Sequence, residues 1–298
     1  MMQYTMDRED YERADRYMAS FNTSYRSATS LLPKDIQQAT VIFYAFVRYA
    51  DELVDNPETV SPLVSHTSFD AFHKEWNEVS STEPTEHSHP FIRSLFYVMK
   101  EYAIPFSYID DFLRVMKQDT LVTRYHTYEE LEAYMWGSAS VVGLIMAHIF
   151  GYREHEETFP SAQALAEAMQ LTNFLRDVDE DYQERNRIYL PQQDQYVFGV
   201  SESMIASRTM TPELRNLIQH YAERTEELYR RGIAGITFLK RGRFAVLYSA
   251  NLYHTYLTIL TKRNYDLFQK KITLPWYTKG RILLKTVMMY GTSFRNNA

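Results

Sequence analysis

Apolar residues recur three and four apart through six long stretches of the chain, at 33–55, 90–118, 127–151, 162–182, 211–239 and 243–263. This spacing returns side chains to one face of a helix with 3.6 residues per turn, and almost every persistent pattern has this period. Gly and Pro, which punctuate short strands, number only 9 and 10 among 298 residues, against 24 Tyr, 17 Phe and 13 Met. The expectation is an all-α bundle of long helices. Pro33 suits a first helical turn, Asn56-Pro57 stops the same helix, and 56–65 and 80–90 read as loops. No linker, repeat or low-complexity tract divides the chain. Residues 1–298, 45% hydrophobic, are therefore expected to fold as one domain.

Charge and cysteine usage narrow the partners. A net charge of −6 and a pI near 5.9 argue against nucleic-acid binding, which needs a basic face. A small phosphorylated ligand would need a metal or a local basic pocket. With no Cys, disulfides, thiolate nucleophiles and thiolate metal sites are ruled out. The start, MMQYTMDREDYERADRYM, lacks a signal peptide's apolar stretch, so a cytoplasmic protein is expected. The run VVGLIMAHIFGY at 141–152 is shorter than the roughly 20 residues that span a bilayer. It reads as a buried helix, and peripheral membrane contact stays open.

The chemistry concentrates in two acidic stretches. In QLTNFLRDVDEDYQERNRIYLP (170–191), four carboxylates crowd into five residues. On a helix turning about 100° per residue, Gln170, Asn173, Asp177 and Asp181 share one stripe and Asp179 faces away. Glu180 lies about 80° off that stripe, either beside the site or in solvent. Asp179 is expected to be solvated. The stripe offers only oxygen donors, which suits hard divalent cations, Mg²⁺ above all. One such cluster alone reads most economically as a solvated acidic face. The second cluster, in FYAFVRYADELVD, changes the balance. There Asp51 and Asp55 are one turn apart with Glu52 adjacent, Arg48 and Tyr44 continue their side, and Ile42, Phe43, Phe46, Val47 and Val54 surround them.

Carboxylates and an arginine on a largely buried helix are costly unless ions occupy the space they face. Two such helices across one cavity make a site for a Mg²⁺ cluster, whose remaining ligands would be water and phosphate oxygens. A diphosphate is the natural third party and becomes a leaving group there, leaving a carbocation. Aromatic faces and apolar walls can shelter that cation from water.

RYADELVD and LTNFLRDVDEDYQERNRIYLP resemble the two signature regions of the squalene and phytoene synthase family, the head-to-head trans-isoprenyl diphosphate synthases. NTSYRSATSLLPKD, MKQDTLVTRY, YMWGSASVVG, YSANLYHTYL and NYDLFQKK follow in the family's order, so the resemblance covers about 17–285. It implies an all-helical isoprenoid synthase fold around a central cavity. It also implies Mg²⁺-dependent condensation of two allylic prenyl diphosphates through a cyclopropylcarbinyl diphosphate.

The resemblance makes Asp51, Glu52 and Asp55 the first metal motif, and Asn173, Asp177 and Asp181 the second. Asp51, Asp55, Asp177, Asp181 and Tyr134 are the catalytic candidates. Arg48 and Arg176 match diphosphate-contacting arginines, and Arg187 in the RIY segment is preferred to Arg185 for a similar role. Tyr44, Tyr134, Gln170, Tyr189 and Tyr253 match cavity-lining positions. Where the family carries Ser-x-Ser-Phe, this chain reads Asn22-Thr23-Ser24-Tyr25, which keeps Ser24 for phosphate and puts Tyr25 beside it. The usual second acid of DDxxD is Glu52, and the late Arg pair is Lys270-Lys271, which keeps charge without the bidentate fork. Lys271 remains a substrate-binding candidate.

Within the family, the motifs look most like bacterial or archaeal phytoene synthases, which join two geranylgeranyl diphosphates without reductant. The alternative is a squalene or dehydrosqualene synthase using farnesyl diphosphate, with NADPH needed only for squalene. A non-catalytic helical prenyl-lipid-binding or assembly protein is the reading from another class. It would be expected to have lost a motif carboxylate, and both motifs keep theirs.

Overall fold

Each long apolar stretch becomes a helix because local signals fix its ends. The computed structural model describes residues 8–21, 28–55, 68–119 and 121–293. Its helices, in chain order, are Arg8–Ala19 (α1), Lys34–Asp55 (α2), Phe69–Ser81 (α3), Pro90–Glu101 (α4), Ser107–Gln118 (α5), Tyr128–Met135 (α6), Val141–Phe150 (α7), Thr158–Arg185 (α8), Gln192–Phe198 (α9), Glu202–Ala206 (α10), Pro212–Gly235 (α11), Arg243–Lys262 (α12) and Trp276–Ser293 (α13). No strand occurs among the described residues, where two isolated bridges pair Arg124 with Ile188 and Tyr152 with Leu239. Thr127 and Thr211 accept from the Glu130 and Leu214 amides at 3.3 and 3.2 Å and so cap α6 and α11. The all-α expectation is met.

Two expected stretches differ in detail. The run 90–118 splits into α4 and α5, because Pro105 cannot continue a helix and Ala103 turns into the left-handed region at φ 50°. The run 127–151 stays continuous from Tyr128 to Phe150 through a π-helical segment at Trp136–Ser140. That rod is long and apolar enough to cross a bilayer, yet most of its apolar window is buried within the protein.

Helix α8 packs most closely on α11. A Cβ added at Gly235 would fall 2.0 Å from Ser161 Cβ, and one at Gly232 would fall 2.6 Å from Leu165 Cα. Only hydrogen at those two positions lets the backbones approach so far. Helix α2 buries Ile36, Ala39, Ile42, Phe43, Ala45, Phe46, Tyr49, Ala50 and Leu53 in a core shared with Trp76, Phe72 and Phe91. That side fixes the orientation of α2 and leaves its Tyr44–Arg48–Asp51–Asp55 stripe facing a cavity.

Candidate active site

The cavity, about 590 Å³, is walled by α2, the α6–α7 rod, α8 and α12. Along α8 the lining includes Ala162 and Asp181, about 28 Å apart at a rise of 1.5 Å per residue. Toward the N-terminal end of α8 the lining is apolar, with Leu32, Ala147, Phe150, Ala162, Ile236 and Leu239. At the other end Asp51, Asp55, Asp119, Asp181, Arg185 and Arg187 contribute to it. One end of the space is therefore charged and the rest is suited to hydrocarbon.

The two acidic stripes meet across this end. Arg185 donates from Nη2 to Asp55 Oδ2 at 3.2 Å and from Nη1 to Asp181 Oδ1 at 3.3 Å. A single guanidinium thus ties Asp55, at the end of α2, to Asp181, near the end of α8. On α2, Arg48 donates to Asp51 Oδ2 at 2.8 Å and also to Glu52. On α8, Arg176 donates to Asp177 Oδ1 at 2.8 Å while its guanidinium lies 4.9 Å from the Tyr256 ring centroid. Arginines neutralise each carboxylate group, and among the described residues no three acids or histidines converge as a ready metal cluster.

Several observations fit these residues to a hard cation. Every donor on the two stripes is an oxygen, and Asn173 Oδ1 is buried with no hydrogen-bond partner. Burial, followed by the neighbouring Asp177 charge, pushes Asp181 up to about 7. Burial likewise raises Asp51 to about 6, with Arg48 opposing and Asp55 adding to the rise. Burial thus disfavours their ionised forms, which a bound cation would favour. Arg185 supplies positive charge between the two helices by pairing with both Asp55 and Asp181.

The sequence-predicted residues fall into three groups. Tyr44, Arg48, Asp51, Asp55, Tyr134, Gln170, Asn173, Asp181, Arg187, Tyr189 and Tyr253 all line the cavity. Glu52, Arg176, Asp177 and Lys271 do not contribute to its wall. Glu52 and Asp177 are engaged by Arg48 and Arg176, and Lys271 pairs with Glu180. Ser24 and Tyr25 lie outside the described residues. Glu180 thereby gains a partner. Asp179 faces away as expected but is not simply solvated, because Arg208 pairs with it at 2.8 Å.

Sequence reasoning gave no role to Asp119, which joins Tyr134, Arg187 and Tyr189 into one network. Tyr134 Oη donates to Asp119 Oδ2 at 2.9 Å, Arg187 donates to the Asp119 carbonyl, and Arg187 Nη1 donates to Tyr189 Oη at 3.0 Å. Burial raises Asp119 to about 6, against the pull of Arg187 and Tyr134. The RIY segment reaches this network because Asn186, in the left-handed region at φ 50°, reverses the chain at the end of α8. Ile188 N then donates to Thr123 O at 3.0 Å. Tyr189 stacks on Phe174 with centroids 3.9 Å apart. Asp119 sat within the quoted MKQDTLVTRY, but it lies just past α5, where no periodicity marks a face.

Residues 18–278 match the family model of squalene/phytoene synthase. A 15-cis-phytoene synthase of Synechococcus elongatus is 29% identical over 283 residues, covering 91% of this chain and 90% of its own length. A phytoene synthase of Thermus thermophilus is 29% identical over 279 residues, covering 94% and 93%. Among solved structures, a dehydrosqualene synthase in complex with ligand is 27% identical, with a TM-score of 0.84 over 95% of this chain and 97% of that one. A squalene synthase from Alicyclobacillus acidocaldarius is 25% identical, with a TM-score of 0.75 over 87% and 95%.

Proposed function

The chain belongs to the squalene/phytoene synthase family and is a prenyltransferase with the all-helical isoprenoid synthase fold, and from that premise we propose a specific reaction for it. The reaction is Mg²⁺-dependent head-to-head condensation of two geranylgeranyl diphosphates to phytoene, through prephytoene diphosphate. The carrying observation is the Arg185 guanidinium held between Asp55 and Asp181, which brings acids from two helices to one end of an apolar cavity. The phytoene synthases of Synechococcus and Thermus, similar over nearly their whole length, support the choice of substrate.

In this reading Asp51, Glu52 and Asp55 on one side and Asn173, Asp177 and Asp181 on the other hold the metal. Bound Mg²⁺ supplies charge to stabilise the departing diphosphate. Arg48 and Arg176, paired here with Asp51, Glu52 and Asp177, and Arg187 and Lys271, paired with Asp119 and Glu180, are the cations that would contact the diphosphate. Tyr44, Gln170, Tyr189 and Tyr253 shape the wall, and the aromatic faces around Tyr134 shelter positive charge on the prenyl chains. The apolar lining keeps water from that cation.

The dehydrosqualene synthase structure, alike over almost the full chain, favours a second reading in which farnesyl diphosphate is the substrate. Mass spectrometry of products from purified protein, Mg²⁺ and either diphosphate, with and without NADPH, separates the two. A forty-carbon triene-centred product without NADPH is expected. Squalene formed only with NADPH, or dehydrosqualene without it, would replace the geranylgeranyl assignment.

A further inference from the structure

Helix α13 turns an apolar face outward. Trp276, Tyr277, Leu284 and Val287 are 84%, 58%, 66% and 53% exposed. Together with Gly280 and Gly291 they fall within an arc of about 100° on the helix. Arg281 and Lys285 follow at one edge, and Lys279 lies about 60° beyond the other. The opposite side faces the protein. There Ile282 packs with Tyr248 and Leu252 of α12, and Asn251 Nδ2 donates to Thr286 Oγ1 at 2.9 Å.

The charge of the segment that carries this face is one-sided. After Asp266 the chain carries Lys270, Lys271, Lys279, Arg281, Lys285 and Arg295 and no Asp or Glu, while the first 266 residues hold all 38 acids. An otherwise acidic protein thus presents an amphipathic helix with a cationic rim and exposed aromatics at its start. A second copy of the chain would bring the same cations to a two-fold contact, where like charges oppose association. An anionic bilayer complements both features at once.

We propose that α13 docks the protein on an anionic lipid surface, with Trp276, Tyr277, Leu284 and Val287 entering the acyl boundary and Arg281 and Lys285 meeting lipid phosphates. The position connects with the cavity. Ala28 and Leu252 line the cavity and also belong to the cluster that seats Ile282 of α13. One layer of side chains therefore separates the docked helix from the space assigned to prenyl chains. This exchange of hydrocarbon with the membrane rests on the proposed function. The docking does not.

Co-sedimentation with phosphatidylcholine vesicles, with or without phosphatidylglycerol, tests it on three proteins: wild type, the triple variant Trp276→Ser/Leu284→Ser/Val287→Ser, and the double variant Arg281→Glu/Lys285→Glu. Wild type should sediment with the phosphatidylglycerol vesicles and be released by about 0.5 M salt. Each variant should partition at least tenfold more weakly, with an unchanged far-UV spectrum, since the replaced groups are exposed. Turnover of detergent-dispersed prenyl diphosphate should persist in both variants, so a docking failure is distinguishable from a wrong substrate. Equal sedimentation of all three proteins would overturn the proposal. So would a wild-type dimer in light scattering that the triple variant dissociates without any change in vesicle binding.

Discussion

Tyr134 Oη donates a 2.9 Å hydrogen bond to Asp119 Oδ2, and Asp119 is also the ion partner of Arg187 at 3.6 Å. Arg187 is 8% exposed, and its Nε has no partner. Removing Asp119 would leave a guanidinium buried without its counter-charge, a loss of about 3–5 kcal/mol in comparable pairs. Tyr134→Phe removes one hydrogen bond, about 1 kcal/mol. Urea unfolding should therefore show Asp119→Ala several times more destabilised than Tyr134→Phe, and adding Arg187→Met to Asp119→Ala should recover part of the loss. Equal midpoints for the two single variants would show that Asp119 does not hold Arg187.

Turnover should separate the same residues differently. Tyr134 faces the cavity from the centre of an aromatic group, with Phe174 and Tyr189 centroids 6.1 and 5.6 Å away. Tyr134→Ala is expected to cost at least tenfold in kcat, and Asp51→Ala or Asp177→Ala to abolish turnover while leaving the helical signal. Unchanged turnover in either aspartate variant would remove it from the metal site.

If Asp51 and Asp181, raised to about 6 and about 7, are metal ligands, metal binding should depend on pH. Between their ordinary value of 3.8 and these raised values, the folded state binds more protons than the unfolded chain. Their contribution to stability therefore falls as pH rises through that window. His89 acts oppositely: burial lowers it to about 3, so its stabilisation is lost as pH falls below about 6.5. A comparison with and without Mg²⁺ cancels His89, which packs outside the cavity lining in an aromatic cluster with Tyr49 and Phe72. Because ligands must be ionised to bind, the rise in Tm caused by Mg²⁺ with inorganic diphosphate should be larger at about pH 8 than at about pH 5.5. A rise independent of pH would argue against Asp51 and Asp181 as ligands.

The helical period made the fold legible, because a stripe of apolar residues three and four apart must be buried wherever the helix packs. The same arithmetic put Asn173 and Asp181 on the cavity wall and turned Asp179 outward. It failed where a residue's role depends on the path of the chain between helices. Asp119 follows the end of α5, and Arg187 and Tyr189 follow a left-handed Asn186, so no periodicity relates them. It also could not foresee that Arg185 rather than Arg187 would bridge the two acidic stripes, since both lie within reach in sequence. The sequence reading left α13 unassigned, because the apolar stretches it traced end at residue 263.

Gly235 and Gly232 set the distance between α8 and α11. A side chain at Gly235 would meet Ser161, and one at Gly232 would meet the Leu165 backbone, so neither neighbour can simply rotate away. Gly232→Val should force the helices apart and destabilise the protein by about 1–3 kcal/mol, read as a lower urea midpoint. Gly280, with nothing within 4 Å of an added Cβ, serves as the control. Gly280→Ala in an exposed helix should be stabilising by up to about 1 kcal/mol. If Gly232→Val matches wild type, the close approach of α8 and α11 is wrong.

Substrate length should be set at the end of the cavity remote from the acids. Asp181 lies at the charged end, and Ala162 lines the cavity about 28 Å away along α8, with Phe150 and Leu239 also in the apolar lining. A prenyl chain with its diphosphate at Asp51, Asp55 and Asp181 must run toward Ala162, so added volume there removes room from the tail alone. Ala162→Phe should leave Mg²⁺ binding and the helical spectrum intact. It should shift the ratio of kcat/KM for farnesyl over geranylgeranyl diphosphate at least tenfold toward farnesyl, equivalent to about 1.4 kcal/mol of lost room for the longer chain. Competition between the two diphosphates, with products resolved by mass spectrometry, measures that ratio directly. An unchanged ratio would mean that the tails do not reach Ala162.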